Sequence, residues 1–264
     1  VFIRALISLV LSWWVIQRQG VNPWGNQRPM LVWRGIVGTL ALFCFYAAIP
    51  QLPLAAATVL QYLYPTFTAA LAWGALGERA GKRILLAMTL GWIGVLLVAQ
   101  PEWLMPVTGG SAINPLPAIA VVIGITGALL TALAYVTVRH LAKDEHGSVI
   151  IFYFPLISVP MAFPFVVLNP IWPNAVECGW LIGVGLFTQI GQIFLTQGLS
   201  SLPAARATAI NYVQVIFASI LGVLFFKDEI NNLTIIGGLL ILGSTLASLN
   251  PNKQLIIQGK DRNV

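Results

Sequence analysis

Long apolar runs separated by short polar breaks make up most of the chain. Nine runs stand out, at about residues 1–17, 31–49, 54–76, 84–100, 117–138, 148–168, 179–199, 204–226 and 232–249. Each approaches the ~20 residues that a helix needs to cross the hydrocarbon core of a bilayer. None shows strand alternation, and all are too long for barrel strands. The pattern predicts an all-α integral membrane protein. The breaks carry turn chemistry. They are residues 20–29 (GVNPWGNQRP), Leu52-Pro53, residues 77–83 (GERAGKR), the Pro- and Gly-rich stretch 101–117, and residues 169–178. A polar tail follows Leu249.

The two halves resemble each other at a shift of 150 residues. Leu52-Pro53 recurs as Leu202-Pro203, and Ala55, Ala57 and Thr58 recur as Ala205, Ala207 and Thr208. Tyr62, Phe67 and Leu71 recur as Tyr212, Phe217 and Leu221, while Phe2, Leu6, Ile7 and Ser8 recur as Phe152, Leu156, Ile157 and Ser158. Run 117–138 has no counterpart before Val1. The expectation is therefore nine visible transmembrane helices of ten, in two five-helix repeats. Residues 1–100 form the first repeat, which lacks its first helix. Residues 101–117 are a linker, 118–249 the second repeat, and 250–264 a cytoplasmic tail. An odd number of spans per repeat makes the repeats inverted, an arrangement found in many secondary transporters.

Composition narrows the class. Hydrophobic residues make up 58% of the 264 residues and charged residues 8%. So little charge cannot cover the surface of a soluble enzyme. The net charge of +6 does not indicate nucleic-acid binding, because the bases are scattered through short loops. Threaded through nine spans, Arg18, Arg28, Arg79, Lys82, Arg83, Arg139, Lys143, Lys253, Lys260 and Arg262 fall on one side and only Lys227 on the other. The side rich in Lys and Arg is the cytoplasmic one. Trp103, Trp172 and Trp180 then lie near the outer interface, and Trp13, Trp14 and Trp33 near the inner one. Cys44 and Cys178 read as packed thiols.

Three stretches resemble the drug/metabolite transporter superfamily, of the EamA type. They are residues 45–66 (FYAAIPQLPLAAATVLQYLYPT), residues 73–98 (WGALGERAGKRILLAMTLGWIGVLLV), and residues 198–243 with Lys227-Asp228-Glu229. The likeness covers nearly the whole chain. It implies ten helices around a central cavity, and uptake or export of a small metabolite by alternating access. The chain departs from the pattern at the missing first helix. It departs again at Val215, which stands where the second repeat would echo Pro65 and predicts unequal helices on the two sides of the cavity.

Ionisable groups inside a membrane need a reason to be there. No Asp or Glu falls in the middle of a run. Arg4 sits about 20 Å from the cytoplasmic end of its helix at 1.5 Å per residue. It either lines a cavity or snorkels to the outer headgroups. Arg34 and Arg206 lie nearer the inner surface and read as anchors. Gln61, Tyr62 and Tyr64 precede Pro65, and Asn211, Tyr212 and Gln214 occupy the matching positions. Inverted repeats bring such clusters together near the midplane, where they bind a solute or simply join helices. Gln189 and Gln192 add amides, and Tyr135 and Tyr153 are candidate wall residues. Pro65 lies mid-run and predicts a kink. Pro155 and Pro160, with Pro164, predict a bent gating helix. The 24 glycines predict close helix packing.

There is no phosphate-loop, HExxH or CxxC pattern, so neither a cofactor nor a metal is expected. His140 and His146 share a loop. The reading is a secondary transporter of a small polar metabolite, with an anionic one as an option, in a plasma (inner) membrane with the C-terminus cytoplasmic. The expected partners are the metabolite and the lipid bilayer, with a homodimer left open. The alternative is a non-transporting sensor or assembly subunit of the same fold. An intramembrane enzyme is disfavoured, because Ser8 and Ser158 have no histidine at their depth.

Overall fold

The computed structural model describes residues 1–52, 54–78, 80–99, 117–168, 173–221, 224 and 232–249. Pro53, Arg79, most of the linker (101–116), Trp103, Trp172, the Lys227-Asp228-Glu229 turn and the tail 250–264 lie outside the described residues. Every described element is helical. In chain order they are α1 (Phe2–Gln19), α2 (Arg28–Ala48) with a 3-10 turn (Ile49–Gln51), α3 (Leu54–Gln61), α4 (Tyr64–Leu76) and α5 (Lys82–Ala99). Then come α6 (Ala118–Leu141), α7 (Gly147–Leu168), α8 (Ala175–Ser201), α9 (Ala204–Ile210), α10 (Val213–Leu221) and α11 (Asn232–Leu249). Among the described residues, Arg28–Gln51, Ala118–Leu141, Gly147–Leu168 and Ala175–Ser201 are long and apolar enough to cross a membrane.

Local chemistry sets the helix ends. α1 and α4 stop at Gly20 (φ 63) and Gly77 (φ 68), left-handed positions that glycine enters without a steric penalty. α8 starts before its apolar run because Asn174 and Glu177 form a capping box. The Glu177 N–H donates to Asn174 Oδ1 at 2.9 Å, and the Asn174 N–H donates to Glu177 Oε2 at 2.8 Å.

One expectation is corrected. Run 54–76 is not one kinked helix: α3 ends at Gln61 and α4 begins at Tyr64. Pro65 occupies the first turn of α4, where a missing N–H costs nothing. The second half breaks in the same way without a proline, between α9 and α10 at Asn211-Tyr212. In both places a short i→i−3 bond replaces the helical one, Leu63 N–H to Leu60 O at 3.2 Å and Tyr212 N–H to Ala209 O at 3.3 Å. Val215 lies in the first turn of α10, as Pro65 does in α4. α7, by contrast, runs unbroken through Pro155, Pro160 and Pro164.

The chain divides into two compact units, residues 1–79 with 101–208 and residues 80–100 with 209–264. In the first, α2 packs against α6 and α7, α1 against α7 and α8, and α4 against α6. Ile16, Leu31, Leu141, Ile150 and Leu199 are fully buried. Alanines 72, 128 and 132 are fully buried too, and such small residues let helix backbones approach. Large apolar side chains also face outward, Trp180 at 74% and Phe187 at 78% exposure. A lipid-facing exterior has this character. In the second unit α5 packs along α11.

Hydrogen bonds gather four connections at one end of the first unit. Glu145, 8% exposed, accepts from the backbone N–H of Asn26 (2.6 Å) and of Gln27, at the start of α2. Gln27 Nε2 donates to Asp144 (2.7 Å), and the Tyr153 hydroxyl donates to the Trp24 carbonyl (2.9 Å). The loop between α1 and α2 is thus held by the loop between α6 and α7. At the end of α6, Arg139 Nε donates to Glu78 Oε1 at 2.8 Å, and its Nη1 donates to the carbonyls of Leu199 (3.2 Å) and Ser200 (2.7 Å). Glu78 Oε2 in turn accepts from the Ala204 N–H at 2.9 Å. This ties the turn after α4 to the corner between α8 and α9. Replacing Glu145 by alanine strands the two N–H groups that it caps. The expected loss is about 1–2 kcal/mol, read as a lower unfolding temperature of the purified protein in detergent, with Glu145→Gln falling between the two.

Candidate functional site

A cavity of about 150 Å³ opens inside the first unit among α1, α2, α3, α6, α7 and α8, and its polar walls are Arg4, Arg34, Gln61, Thr131, Tyr135 and Gln192. Arg4, Gln61 and Gln192, three of the residues singled out in the sequence, meet there. Arg4 faces this polar space from α1.

Arg34 is the residue that sequence reasoning misplaced. It lies six residues into α2, roughly 9 Å from the helix end at 1.5 Å per residue, a depth that suggests an anchor. Its side chain turns inward instead and is 3% exposed. The guanidinium carbon stands 4.5 Å from the centre of the Phe154 ring, a cation–π contact worth about 1–2 kcal/mol when desolvated. Nη2 reaches Gln192 Oε1 at 3.5 Å, the outer limit of a hydrogen bond, while Nε and Nη1 are buried without a partner among the described residues. The readable signal was Gly38. It sits four residues on, on the same helix face, where a Cβ would lie 2.8 Å from Nη1.

The other residues take different places. Tyr62 and Tyr64 are buried at the break, with ring centres 6.2 Å apart, and Tyr64 meets Tyr135 edge-on at 5.4 Å. Pro65 is buried beside them, Pro155 is buried in α7, and Pro160 is exposed. Tyr153 is bonded to Trp24 and does not line this cavity. Gln189 donates to Ser12 Oγ at 2.8 Å and lines a separate cavity of about 450 Å³ with Gln19, His146 and Ser148, at the charged end of the unit. Asn211, Tyr212 and Gln214 belong to the second unit, where Tyr212 is fully buried beside Gly91 and Gln214 is exposed. Cys44 and Cys178 are free thiols.

Chemically, the smaller cavity offers fixed positive charge, amides and a phenol. The described residues hold no group of three or more His, Cys, Asp or Glu side chains able to bind a metal. Known proteins give this arrangement its context. The EamA-like transporter family matches residues 1–100 and 118–250. The pseudopaline exporter CntI of Pseudomonas aeruginosa is 29% identical over 248 residues, covering 94% of this chain and 84% of that protein. Solute carrier family 35 member G1 of Homo sapiens is 28% identical over 236 residues, 86% of this chain and 64% of its own length. A protein crystal structure shares the fold with a TM-score of 0.77 at 19% identity, covering 93% of this chain and 84% of that one.

Proposed function

This chain belongs to the EamA-like transporter family, and from that premise we propose that it is a secondary transporter moving a small polar metabolite across the plasma (inner) membrane by alternating access. The observation that carries this reading is the cavity that Arg4, Arg34, Gln61 and Gln192 line from apolar helices. Polar groups at such depth are costly unless they serve a solute or its water.

The proposed architecture is ten spans in two inverted five-helix repeats, nine of them in this chain. Support comes from the 150-residue repeat and from the matched breaks between α3 and α4 and between α9 and α10. Counting each broken pair as one span leaves the four hydrogen-bonded connections at a common end. That end carries Arg18, Arg28, Arg139 and Lys143 and is the cytoplasmic face by the positive-inside rule. The same threading leaves the C-terminus cytoplasmic. In this reading Arg4, Gln61 and Gln192 contact the solute, with Tyr62 and Tyr64 behind them. Asn211, Tyr212 and Gln214 form the pseudo-symmetric counterpart, and Gln189 acts nearer the cytoplasmic mouth. Pro65, Pro155 and Pro160 belong to the gating segments. A homodimer fits this reading but is not required by it.

Counterflow into liposomes containing the full-length protein tests the reading. Preloading with unlabelled solute should drive saturable entry of the labelled solute without ATP, for at least one member of a panel of anionic, zwitterionic and cationic metabolites. Binding without flux, in protein shown to be folded, would instead favour a sensor or assembly subunit.

A further inference from the structure

We propose that Arg34 is the specificity-determining group of the cavity and that the transported solute carries a carboxylate or phosphate which docks on it. This rests on the transporter reading above and adds the class of solute and the residue that selects it.

The argument starts from an imbalance of charge. Arg34 is 3% exposed and carries a permanent positive charge. The one ion pair among the described residues, Arg139 with Glu78, lies elsewhere, at the end of α6. The groups that do touch Arg34, the Phe154 ring and Gln192, are neutral. Most of the five guanidinium donors are therefore uncommitted, including the buried Nε and Nη1. A buried cation without a counter-charge is among the least favourable placements in a protein. Arg4 lines the same cavity and adds a second positive charge.

This arrangement discriminates by sign. A cationic solute meets repulsion from both arginines. A neutral one leaves the buried charge uncompensated. An anionic oxygen pair supplies what is missing and can accept two parallel N–H bonds. Shape agrees. Gly38 leaves room for the guanidinium to lie against its own helix, because a Cβ there would come within 2.8 Å of Nη1 and 3.1 Å of the Phe154 ring. The charge is thus held at the cavity wall. The volume of about 150 Å³ equals roughly five waters at ~30 Å³ each. That is room for an anionic head and its neighbouring atoms.

The test uses the purified full-length protein at constant ionic strength. Its unfolding temperature is titrated with succinate, inorganic phosphate, uncharged succinamide and the dication putrescine. Succinate or phosphate should stabilise the protein, and comparing the two separates carboxylate from phosphate recognition. Succinamide and putrescine should have no effect. In Arg34→Gln the concentration for half-maximal stabilisation should rise about ten- to a hundredfold, the range for losing a charged hydrogen-bond partner. Arg34→Lys, which keeps the charge but not the fork, should fall between. The ligand-free Arg34→Gln protein should unfold at an equal or higher temperature, since an uncompensated charge is removed.

A lower ligand-free unfolding temperature in Arg34→Gln would mark a structural residue and overturn the proposal. Equal anion effects in both proteins, or none in the wild type, would also overturn it. Counterflow keeps the two readings apart. Anion binding through Arg34 without flux would sink the transporter reading and leave the site standing. Undiminished flux of neutral or cationic solutes through Arg34→Gln would sink the site and leave the transporter.

Discussion

Replacing Gly94 by leucine will abolish accumulation of folded protein. A Cβ at this position would lie 2.6 Å from Ile241 Cγ1, 2.8 Å from the Gly237 carbonyl oxygen and 3.2 Å from the Ile241 amide nitrogen. Two of these atoms are backbone, so they yield only if α5 and α11 separate. One turn away Gly91 meets the same limit, with its Cβ position 2.5 Å from the Tyr212 ring and 3.0 Å from Ser244 Oγ. Ser244 donates across the interface to the Ala87 carbonyl at 2.6 Å, a bond that lasts only while the helices stay this close. Overpacking by a methyl group costs about 1–3 kcal/mol, and leucine adds three more carbons. Domains of this size are stable by about 5–15 kcal/mol, so leucine should consume most of that margin. The check is size-exclusion chromatography of a fluorescent fusion, with loss of the monodisperse peak as the expected result. Gly238, also on α11, has open space at its Cβ position, and Gly238→Ala should elute as wild type. A normal peak for Gly94→Leu would mean that the two helices pack less closely than described.

The second large effect is expected at Glu78. Its carboxylate joins three elements, taking Arg139 Nε on one oxygen and the Ala204 N–H on the other. Arg139 Nη1 donates to two of the last carbonyls of α8, those of Leu199 and Ser200. Each charge thus faces the helix end whose dipole favours it, the acid at the start of α9 and the base at the end of α8. Both side chains are 19% exposed, so solvent replaces little of what is lost. Glu78→Ala should cost about 2–4 kcal/mol, measured as the shift in thermal unfolding of detergent-solubilised protein. Glu78→Gln keeps an acceptor for Ala204 and should cost roughly half as much. Arg139→Met added to Glu78→Ala should cost little more than either change alone, because the partners act as a unit. Additive losses would show that the pair is incidental.

Much of the fold was legible because apolar runs longer than about 17 residues are rarely anything but membrane helices. The run at 148–168 became Gly147–Leu168, and the run at 31–49 became Arg28–Ala48. The helix breaks were not legible. Tyr62-Leu63 and Asn211-Tyr212 sit inside continuous apolar pattern, and a change from i→i−4 to i→i−3 bonding leaves no mark on hydrophobicity. Pro65 pointed to the right place for a partly wrong reason, since it starts a helix rather than bending one. At the cavity, counting residues from the helix end placed Arg4 at depth. The same count failed for Arg34, because depth along an axis says nothing about which way a side chain turns. Its inward turn depends on Phe154, Gln192 and Gly38, two of which lie more than 100 positions away in the chain. Tyr153 and Gln189 lie away from this cavity. The Tyr153 hydroxyl bonds the Trp24 carbonyl and Gln189 Nε2 bonds Ser12 Oγ, partners that no local pattern reveals.

The interrupted segments bear on how motion travels through the bilayer. An intact helix acts as a lever: tilting one end swings the other, so opening at one face disturbs the opposite face at once. A segment divided at Tyr62-Leu63, or at Asn211-Tyr212, does not transmit torque past the division. In the carrier proposed above, α3 could then yield while α4 stays tied through Glu78 to Arg139 and Ala204. Two barriers built on such joints would move in sequence, with both shut in between, and that order would keep the carrier from leaking.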